Sequence, residues 1–332
     1  MQKQKWLLPI LLLIVVFILG TYVSAWLLMP FRSNYGSTWE NYLKEPKNSV
    51  DVLYFGSSLV YCNIIPSEIW QESGITSYVM AGPEQTIPLS YYYIREACKT
   101  QSPKAVVLEA TGMFYPEYGS FSKANVTYMP WSINRISATF NAVEKELRAG
   151  LLFPILDYHS LWTTVDTQTI KSHLFPGTDI FAGYTYLDAI KPQDYVYERD
   201  FSAETEAYAQ NLGYLHDIYE FCEKNNIQLV LMVTPTKNRI PDEAYAKLKE
   251  DIAQLEHADF VDFNEQTGEM NIDDQTDWFD VLHLNCRGAG KFSHYLGNFL
   301  SSELNLSPTE NIDHALWTAR ADHFDTLVSA LQ

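Results

Sequence analysis

Short apolar runs, each closed by a turn, alternate along most of the chain with longer stretches whose apolar residues recur at helical spacing. The short runs predict strands at residues 50–55, 77–80, 105–109, 227–233 and 260–263, and the longer stretches predict helices at 88–100, 204–225, 244–255 and 287–304. Alternation of this kind indicates an α/β domain with a parallel sheet and helices on both faces. Ligand sites in such sheets lie beyond the carboxyl ends of the strands.

Residues from about 112 to 200 interrupt the alternation. They are rich in Tyr, Phe and Trp and include one helical stretch at 133–149. We interpret them as an aromatic-rich insertion between the third and fourth strands that is able to roof a site. The residues after the main domain, 306–332, are predicted to form a C-terminal helical tail.

The N-terminus contains the longest apolar run, from Trp6 to Met29. At ~1.5 Å per residue, a helix of this length crosses a ~30 Å hydrocarbon core. Lys3 and Lys5 precede the run, so the positive-inside rule predicts a single-pass protein of the cell membrane, with its N-terminus inside and its main domain extracytoplasmic. A signal peptide cleaved near residues 23–25 is the alternative. It is disfavoured because the apolar run continues past that point.

These patterns divide the chain into four parts. Residues 1–30 are a cytoplasmic tail and transmembrane anchor, 31–49 a juxtamembrane stalk, 50–305 the main domain, and 306–332 the tail. Hydrophobic residues make up 47% of the chain and charged residues 19%, which is typical of a folded domain. We therefore expect one large extracytoplasmic domain held at a membrane.

Composition and the absence of common motifs narrow the functional classes. The net charge of −18 argues against non-specific nucleic-acid binding, which needs clustered Lys and Arg. The four cysteines form no C-x-x-C pair, and the sequence contains no G-x-x-x-x-G-K-[ST], G-x-G-x-x-G or H-E-x-x-H motif. We therefore predict no nucleic-acid partner, no metal and no cofactor.

Two short motifs flank the main domain and carry candidate chemistry. Ser58 follows the first strand at a glycine-containing turn, and Asp280 stands three residues before His283, just ahead of the last helix of the domain. Each motif alone is weak, since a turn serine is usually structural and an Asp-x-x-His loop can simply cap a helix. Together they supply a nucleophile, a base and a group that orients the base.

The same residues resemble the SGNH/GDSL hydrolases. The resemblance rests on Phe55-Gly56-Ser57-Ser58-Leu59 and Asp280-Val281-Leu282-His283-Leu284-Asn285, and it covers residues 50 to about 304. It implies a three-layer, flavodoxin-like SGNH fold with Ser58, Asp280 and His283 as the catalytic triad. Ser57 replaces the usual Asp of the family. The Gly-Ser-Ser form is similar to DltD-type and other membrane-linked SGNH proteins of cell-envelope acylation.

The resemblance also assigns further candidate site residues. Gly82 fits the glycine whose backbone N–H helps hold the oxyanion, while a simple turn glycine is the alternative. The family's Gly-x-Asn-Asp motif is absent after the third strand, where Thr111 is the candidate donor. His159 lies in a segment similar to one in Gram-positive SGNH-like envelope proteins and is a candidate to line the site, unless it is a packed core residue. Lys237 and Arg239 follow the fourth strand and can pair an anionic substrate group, unless they are solvated loop charges.

The functional expectation follows from the triad and the anchor together. It is a serine esterase or O-acyltransferase that acts on acyl esters of a cell-envelope glycan or teichoic-acid-like polymer. The alternative is a weakly catalytic or non-catalytic accessory protein that binds a multi-spanning membrane O-acyltransferase and its polymer, which the missing Asn and the aromatic insertion favour. A sugar-binding module that kept the fold and lost the chemistry is a third possibility.

Overall fold

A parallel sheet of five strands forms the centre of the protein in the computed structural model, which describes residues 4–30, 39–175 and 177–331. The strand order is β2-β1-β3-β4-β5, which is the flavodoxin-like order. The predicted fold class is therefore confirmed. The strands are β1 (Val52–Phe55), β2 (Ser77–Val79), β3 (Ala105–Glu109), β4 (Gln228–Val233) and β5 (Ala258–Asp262).

Most of the remaining described residues form helices, and those of eight or more residues carry labels. These are α1 (Gln4–Leu28), α2 (Pro66–Ser73), α3 (Ile87–Ala97), α4 (Ile133–Asn141), α5 (Thr167–Leu174), α6 (Glu206–Lys224), α7 (Asp242–Ile252), α8 (Cys286–Asn298) and α9 (His314–Ser329). Shorter α-helices lie at Trp39–Tyr42, Ser58–Tyr61, Ser122–Thr127, Arg148–Leu152 and Ile155–Tyr158. Short 3₁₀ turns lie at Ala110–Phe114, Lys145–Leu147, His159–Thr163 and Phe263–Gln266, a π turn at Phe299–Glu303, and two paired short strands at Tyr197–Glu198 and Asn238–Arg239.

The two faces of the sheet bury different hydrophobic clusters. Successive strand residues point to opposite faces, so Leu53 and Phe55 pack on one side and Val52 and Tyr54 on the other. The first cluster contains buried residues of α3, α6 and α7, and the second contains those of α2, α8 and α9. Helix, sheet and helix therefore form the three layers that the alternation predicts.

The insertion does not follow a single path, and its middle part lies beside α1. The helices Ile155–Tyr158 and His159–Thr163 and helix α5 contact α1. Residues 177–200 instead run past Tyr61, whose carbonyl accepts from the Thr185 N–H at 2.7 Å, and past Trp278, whose carbonyl accepts from the Lys191 N–H at 2.9 Å. The residues of the insertion that pack beside the N-terminal helix do not roof the site, and a roofing role for residues 177–200 stays a prediction.

The predicted stalk and tail are both parts of the folded domain. Residues 31–38 of the stalk lie outside the described residues, but Trp39 and Tyr42 are 1% and 0% exposed within the first hydrophobic cluster. At the other end, α9 packs against α2 and buries Trp317 and Phe324. The tail is helical, as its pattern predicts, but the partners that bury the two segments lie far away in the chain, where a local pattern does not reveal them.

Most of the large apolar side chains of helix α1 between Leu7 and Leu19 face outwards. Residues Leu7–Leu28 are long and apolar enough to cross a membrane, a test that a signal sequence near the N-terminus also passes. The last turns of α1 pack against the domain, where Ala25 is 1% exposed. This packing joins the apolar helix directly to the folded domain.

Candidate active site

A tight turn after β1 presents Ser58. Gly56 adopts φ +148°, a conformation that L side chains rarely take, and Ser57 caps the following short helix by accepting from the Leu59 N–H at 3.4 Å. Ser58 is the first residue of that helix, where a backbone N–H has no acceptor within the helix. The turn therefore places Ser58 beyond the end of β1, at the start of a short helix.

The Gly56→Ala substitution is expected to destabilise the protein by about 2–4 kcal/mol, because it combines backbone strain with overpacking. A Cβ at this position would lie 2.7 Å from Glu109 Cβ and 2.7 Å from Val60 Cγ2. Urea unfolding measures the loss. Gly213→Ala in α6 is the control, since nothing lies within 4 Å of its new Cβ and helix propensity favours Ala by up to about 1 kcal/mol. Equal effects of the two substitutions would contradict this account of the turn.

The loop before α8 folds back on itself to present the histidine. The Phe279 N–H donates to the His283 carbonyl at 2.9 Å, and Trp278 pairs with Leu284 in an antiparallel bridge. Within the loop, Asp280 Oδ1 accepts from the Leu282 and His283 N–H groups at 2.8 and 2.9 Å. The carboxylate of Asp280 is therefore held by the backbone of the loop that carries the histidine.

Ser58, His283 and Asp280 meet at the carboxyl edge of the sheet. Ser58 Oγ lies 2.8 Å from His283 Nε2, and His283 Nδ1 lies 2.9 and 3.0 Å from the two oxygens of Asp280. Burial raises the pKa of the Asp280 carboxyl, but the hydrogen bond and charge of His283 and the two loop N–H groups outweigh it, so the pKa lies below its usual value. A carboxylate that stays ionised can orient the imidazole and stabilise its protonated form.

Asn63 holds the serine and histidine segments together, and sequence reasoning did not identify it. Its side chain is fully buried, accepts from the Leu284 N–H at 3.0 Å and donates to the Pro235 carbonyl at 3.1 Å. Asn63 thus connects the end of the serine helix to the residue after His283 and to the loop after β4. An isolated Asn five residues after a serine carries no motif, so the sequence offered no signal for this role.

Gly82 and Thr111 lie next to the site, but their donor groups have other acceptors. The Gly82 N–H donates to the Gly56 carbonyl at 3.2 Å. Both the N–H and the hydroxyl of Thr111 donate to the carboxyl group of Glu109, the N–H at 3.2 Å. An oxyanion role for either residue stays a prediction, and it requires these hydrogen bonds to be shared or broken.

A buried polar network lies behind Ser58 and includes Glu109 and Tyr115, which the sequence motifs did not single out. Tyr115 Oη lies 3.1 Å from Ser57 Oγ, and Glu109 is 1% exposed at the end of β3. Burial raises the pKa of Glu109 to about 7, although the hydrogen bonds from Thr111 and the charge of Arg199 act in the opposite direction. Glu109 is the last residue of β3, and the Gly-x-Asn-Asp motif that the SGNH/GDSL resemblance would place after this strand is absent from the sequence.

The raised pKa of Glu109 predicts that its contribution to stability falls as pH rises from about 5 to about 7. In that window the folded state still holds a proton that the unfolded chain has released, so the free energy of unfolding decreases by up to about 1.4 kcal/mol per pH unit. Urea unfolding of wild type and Glu109→Gln is measured at pH 5 and pH 7.5. The contribution of Glu109 is the difference between the two proteins in how much their free energy of unfolding changes between these pH values. Parallel pH profiles for the two proteins would contradict it.

His159 lies apart from this edge, and its predicted place in the site is corrected. It begins the 3₁₀ turn that contacts α1, its ring is exposed, and its Nδ1 lies 3.0 Å from the Leu156 carbonyl. The aromatic surroundings that suggested a site histidine belong to the packing beside α1. The interpretation of His159 as a packed core residue is wrong as well, because the side chain is exposed.

Lys237 and Arg239 do border the site region. Both line a pocket of about 260 Å³ that also contains Asp262, Asn264 and Trp278. The Lys237 N–H donates to the Val281 carbonyl of the histidine loop at 2.9 Å, and its Nζ pairs with Asp274 at 2.6 Å. The pocket therefore adjoins the triad and contains charges of both signs.

Comparisons with known proteins add little to this geometry. No protein-family model matches the sequence, and no curated protein matches it. Among solved structures, the chain is similar to a candidate acylhydrolase from Bacteroides fragilis, with 13% identity, a TM-score of 0.39, and coverage of 80% of this chain and 94% of that chain. At this identity and TM-score the likeness carries no argument, so the fold and the site rest on the sheet and side chains described above.

Proposed function

We propose that this protein is an SGNH-type serine esterase or O-acyltransferase. The observation that carries the proposal is the 2.8 Å contact between Ser58 Oγ and His283 Nε2, with Asp280 bonded to the other ring nitrogen. Serine is a weak nucleophile by itself and becomes effective when an adjacent oriented base accepts its proton. The three residues have the separations that this division of roles requires.

The proposed reaction has two halves. His283 Nε2 accepts the Ser58 proton while Oγ bonds to the ester carbonyl carbon, and the resulting tetrahedral intermediate collapses as His283 returns the proton to the departing alcohol. In the second half, His283 deprotonates water or a sugar hydroxyl, which attacks the acyl-serine. The bond between the acyl carbon and Ser58 Oγ then breaks as His283 returns the proton to Oγ. The Ser58 N–H, which has no acceptor within its helix, is the donor that we assign to the oxyanion.

We further propose that the enzyme acts outside the cytoplasm, anchored by α1, on acyl esters of a cell-envelope glycan or teichoic-acid-like polymer. Lys3 and Lys5, which precede the apolar run from Trp6 onwards, support this orientation. The burial of Ala25 against the domain supports retention of α1, because cleavage near residues 23–25 would remove packed residues. The pocket beside the histidine loop contributes Lys237 and Arg239 as contacts for an anionic polymer.

Incubation of the full-length protein with p-nitrophenyl acetate and with a serine-reactive phosphonate tests the proposal. We expect ester hydrolysis and a covalent adduct that mass spectrometry locates on Ser58. An adduct on another residue, or none between pH 6 and pH 9, would remove the support for serine chemistry.

A second candidate function is that of an accessory protein that binds a multi-spanning membrane O-acyltransferase and its polymer. The accessory function is favoured because the Gly82 and Thr111 donor groups already bond to other acceptors. Loss of one oxyanion donor lowers the catalytic rate by on the order of 10²- to 10³-fold. Genetic complementation separates the two functions. A Ser58→Ala chain that restores the phenotype of a deletion strain supports the accessory role, and one that fails supports catalysis.

A further inference from the structure

Large apolar side chains are exposed at several places in the insertion, and one group of them lies between residues 153 and 175. Phe153, Leu156, Trp162, Leu174 and Phe175 have exposed fractions between 52% and 78%. We call these five residues the collar. Exposed apolar residues that occur singly are ordinary, but several large ones in one short segment indicate a surface that is covered by something apolar.

The collar residues lie in, or within two residues of, elements that pack directly beside α1. The helices Ile155–Tyr158 and His159–Thr163 and helix α5 contact α1. The ring of His173 in α5 lies 5.2 Å from that of Trp26, and His173 Nε2 lies 2.7 Å from the Met29 carbonyl. The elements that carry the collar therefore lie against the C-terminal part of the apolar helix.

The length of α1 sets the depth of the collar. Its apolar span, Leu7–Leu28, has 22 residues, or about 33 Å of helix, against a hydrocarbon core of about 30 Å. The domain already flanks the last seven of these residues, from Tyr22 onwards, which account for about 10 Å. The part of this apolar span that the domain does not flank is thus too short to cross the hydrocarbon core by itself.

We propose that the collar is a lipid-binding surface that lies at the boundary between acyl chains and headgroups, in the leaflet where α1 ends. The domain then sits partly within the bilayer, and the collar supplies the apolar thickness on one side of α1. Trp162 and the flanking phenylalanines suit this position, because aromatic side chains are enriched at that depth. The inference depends on the anchoring of α1 in the proposed function.

Fluorescence quenching of the full-length protein in phosphatidylcholine vesicles tests the proposal. An environment-sensitive dye is attached to a cysteine introduced at Trp162 or Phe175, and nitroxide lipids labelled near the headgroup or deep in the acyl chain act as quenchers. Val16→Cys in α1 reports anchoring. Tyr195→Cys is the matched control, since Tyr195 is 73% and Trp162 72% exposed, but Tyr195 lies outside the collar. Wild-type protein exposed to the same dye shows how much labelling occurs at the native, half-buried Cys98.

The proposal predicts that the dyes at positions 162 and 175 are quenched several-fold more strongly by the shallow nitroxide than the dye at 195, and that the dye at 16 is quenched by the deep one. A water-like spectrum at 162 and 175 together with deep quenching at 16 would overturn the collar and leave the anchor intact. Protection of 162 only after a partner membrane protein is added would assign the surface to that protein and would also overturn the proposal. Loss of quenching at position 16 would instead refute the anchor, and with it the collar.

Discussion

Replacing Ser58 with alanine is expected to lower kcat for ester hydrolysis by on the order of 10⁴- to 10⁶-fold, the range seen when a serine nucleophile is removed from a triad. The hydroxyl of Ser58 lies 2.8 Å from His283 Nε2 and is the group that bonds to the acyl carbon in the proposed reaction. The fold should be unchanged, because Ser58 is half-buried and its side chain caps no backbone group among the described contacts. Hydrolysis of p-nitrophenyl acetate measures kcat, and unfolding in urea measures the stability of the fold.

Ser57→Ala provides the matched control for this experiment. Ser57 is adjacent in the chain and more deeply buried, caps the Leu59 N–H and contacts Tyr115 Oη. Its removal should cost about 1 kcal/mol of stability, as the loss of a helix cap does, and should leave the phosphonate adduct on Ser58. If Ser57→Ala loses the adduct while Ser58→Ala keeps it, the nucleophile has been assigned to the wrong residue.

The Asp280→Asn substitution is expected to lower kcat by about 10⁴-fold while the loop keeps its shape. An Asn side chain can still accept from the Leu282 and His283 N–H groups through its oxygen, as Asp280 Oδ1 does. Its amide group then faces His283 Nδ1 as a donor and favours the tautomer with the proton on Nε2. That tautomer cannot accept the proton of Ser58, so the nucleophile stays inactive.

Asp274→Asn is the control for the charge change. Asp274 is half-exposed and pairs with Lys237, and such exposed pairs contribute about 0–1 kcal/mol. The variant should hydrolyse p-nitrophenyl acetate at close to the wild-type rate. Equal activities of Asp280→Asn and Asp274→Asn would show that the carboxylate at position 280 does not orient the base.

Much of the fold could be predicted because the strands of a buried parallel sheet are short and almost wholly apolar, as β1 and β3 are. Their carboxyl ends meet at one edge, which is why the residue after the first strand and the loop before the last helix of the domain could be placed together. The helix predicted at 133–149 was too long. The chain leaves α4 after Asn141 and continues as two shorter helical turns.

The parts that could not be predicted depend on contacts between distant residues. The engagement of the Gly82 N–H by Gly56, and the two hydrogen bonds of Asn63, arise only when several loops are brought together. The path of the insertion beside α1, which removed His159 from the site, likewise depends on tertiary packing. Local patterns predict which residues can be buried, but they do not identify the partner that buries them.

The distance along the chain between the two halves of the triad has a consequence for biosynthesis. Ser58 and His283 are separated by 225 residues, and Asn63 meets Leu284 across 221. Contacts of such long range form late and slowly, since the intervening loop must close first. A nascent chain therefore lacks its base until the residues beyond 280 have been translated and docked. If the chain is exported as an unfolded polypeptide, as the proposed extracytoplasmic function allows, Ser58, Asp280 and His283 come together only after export.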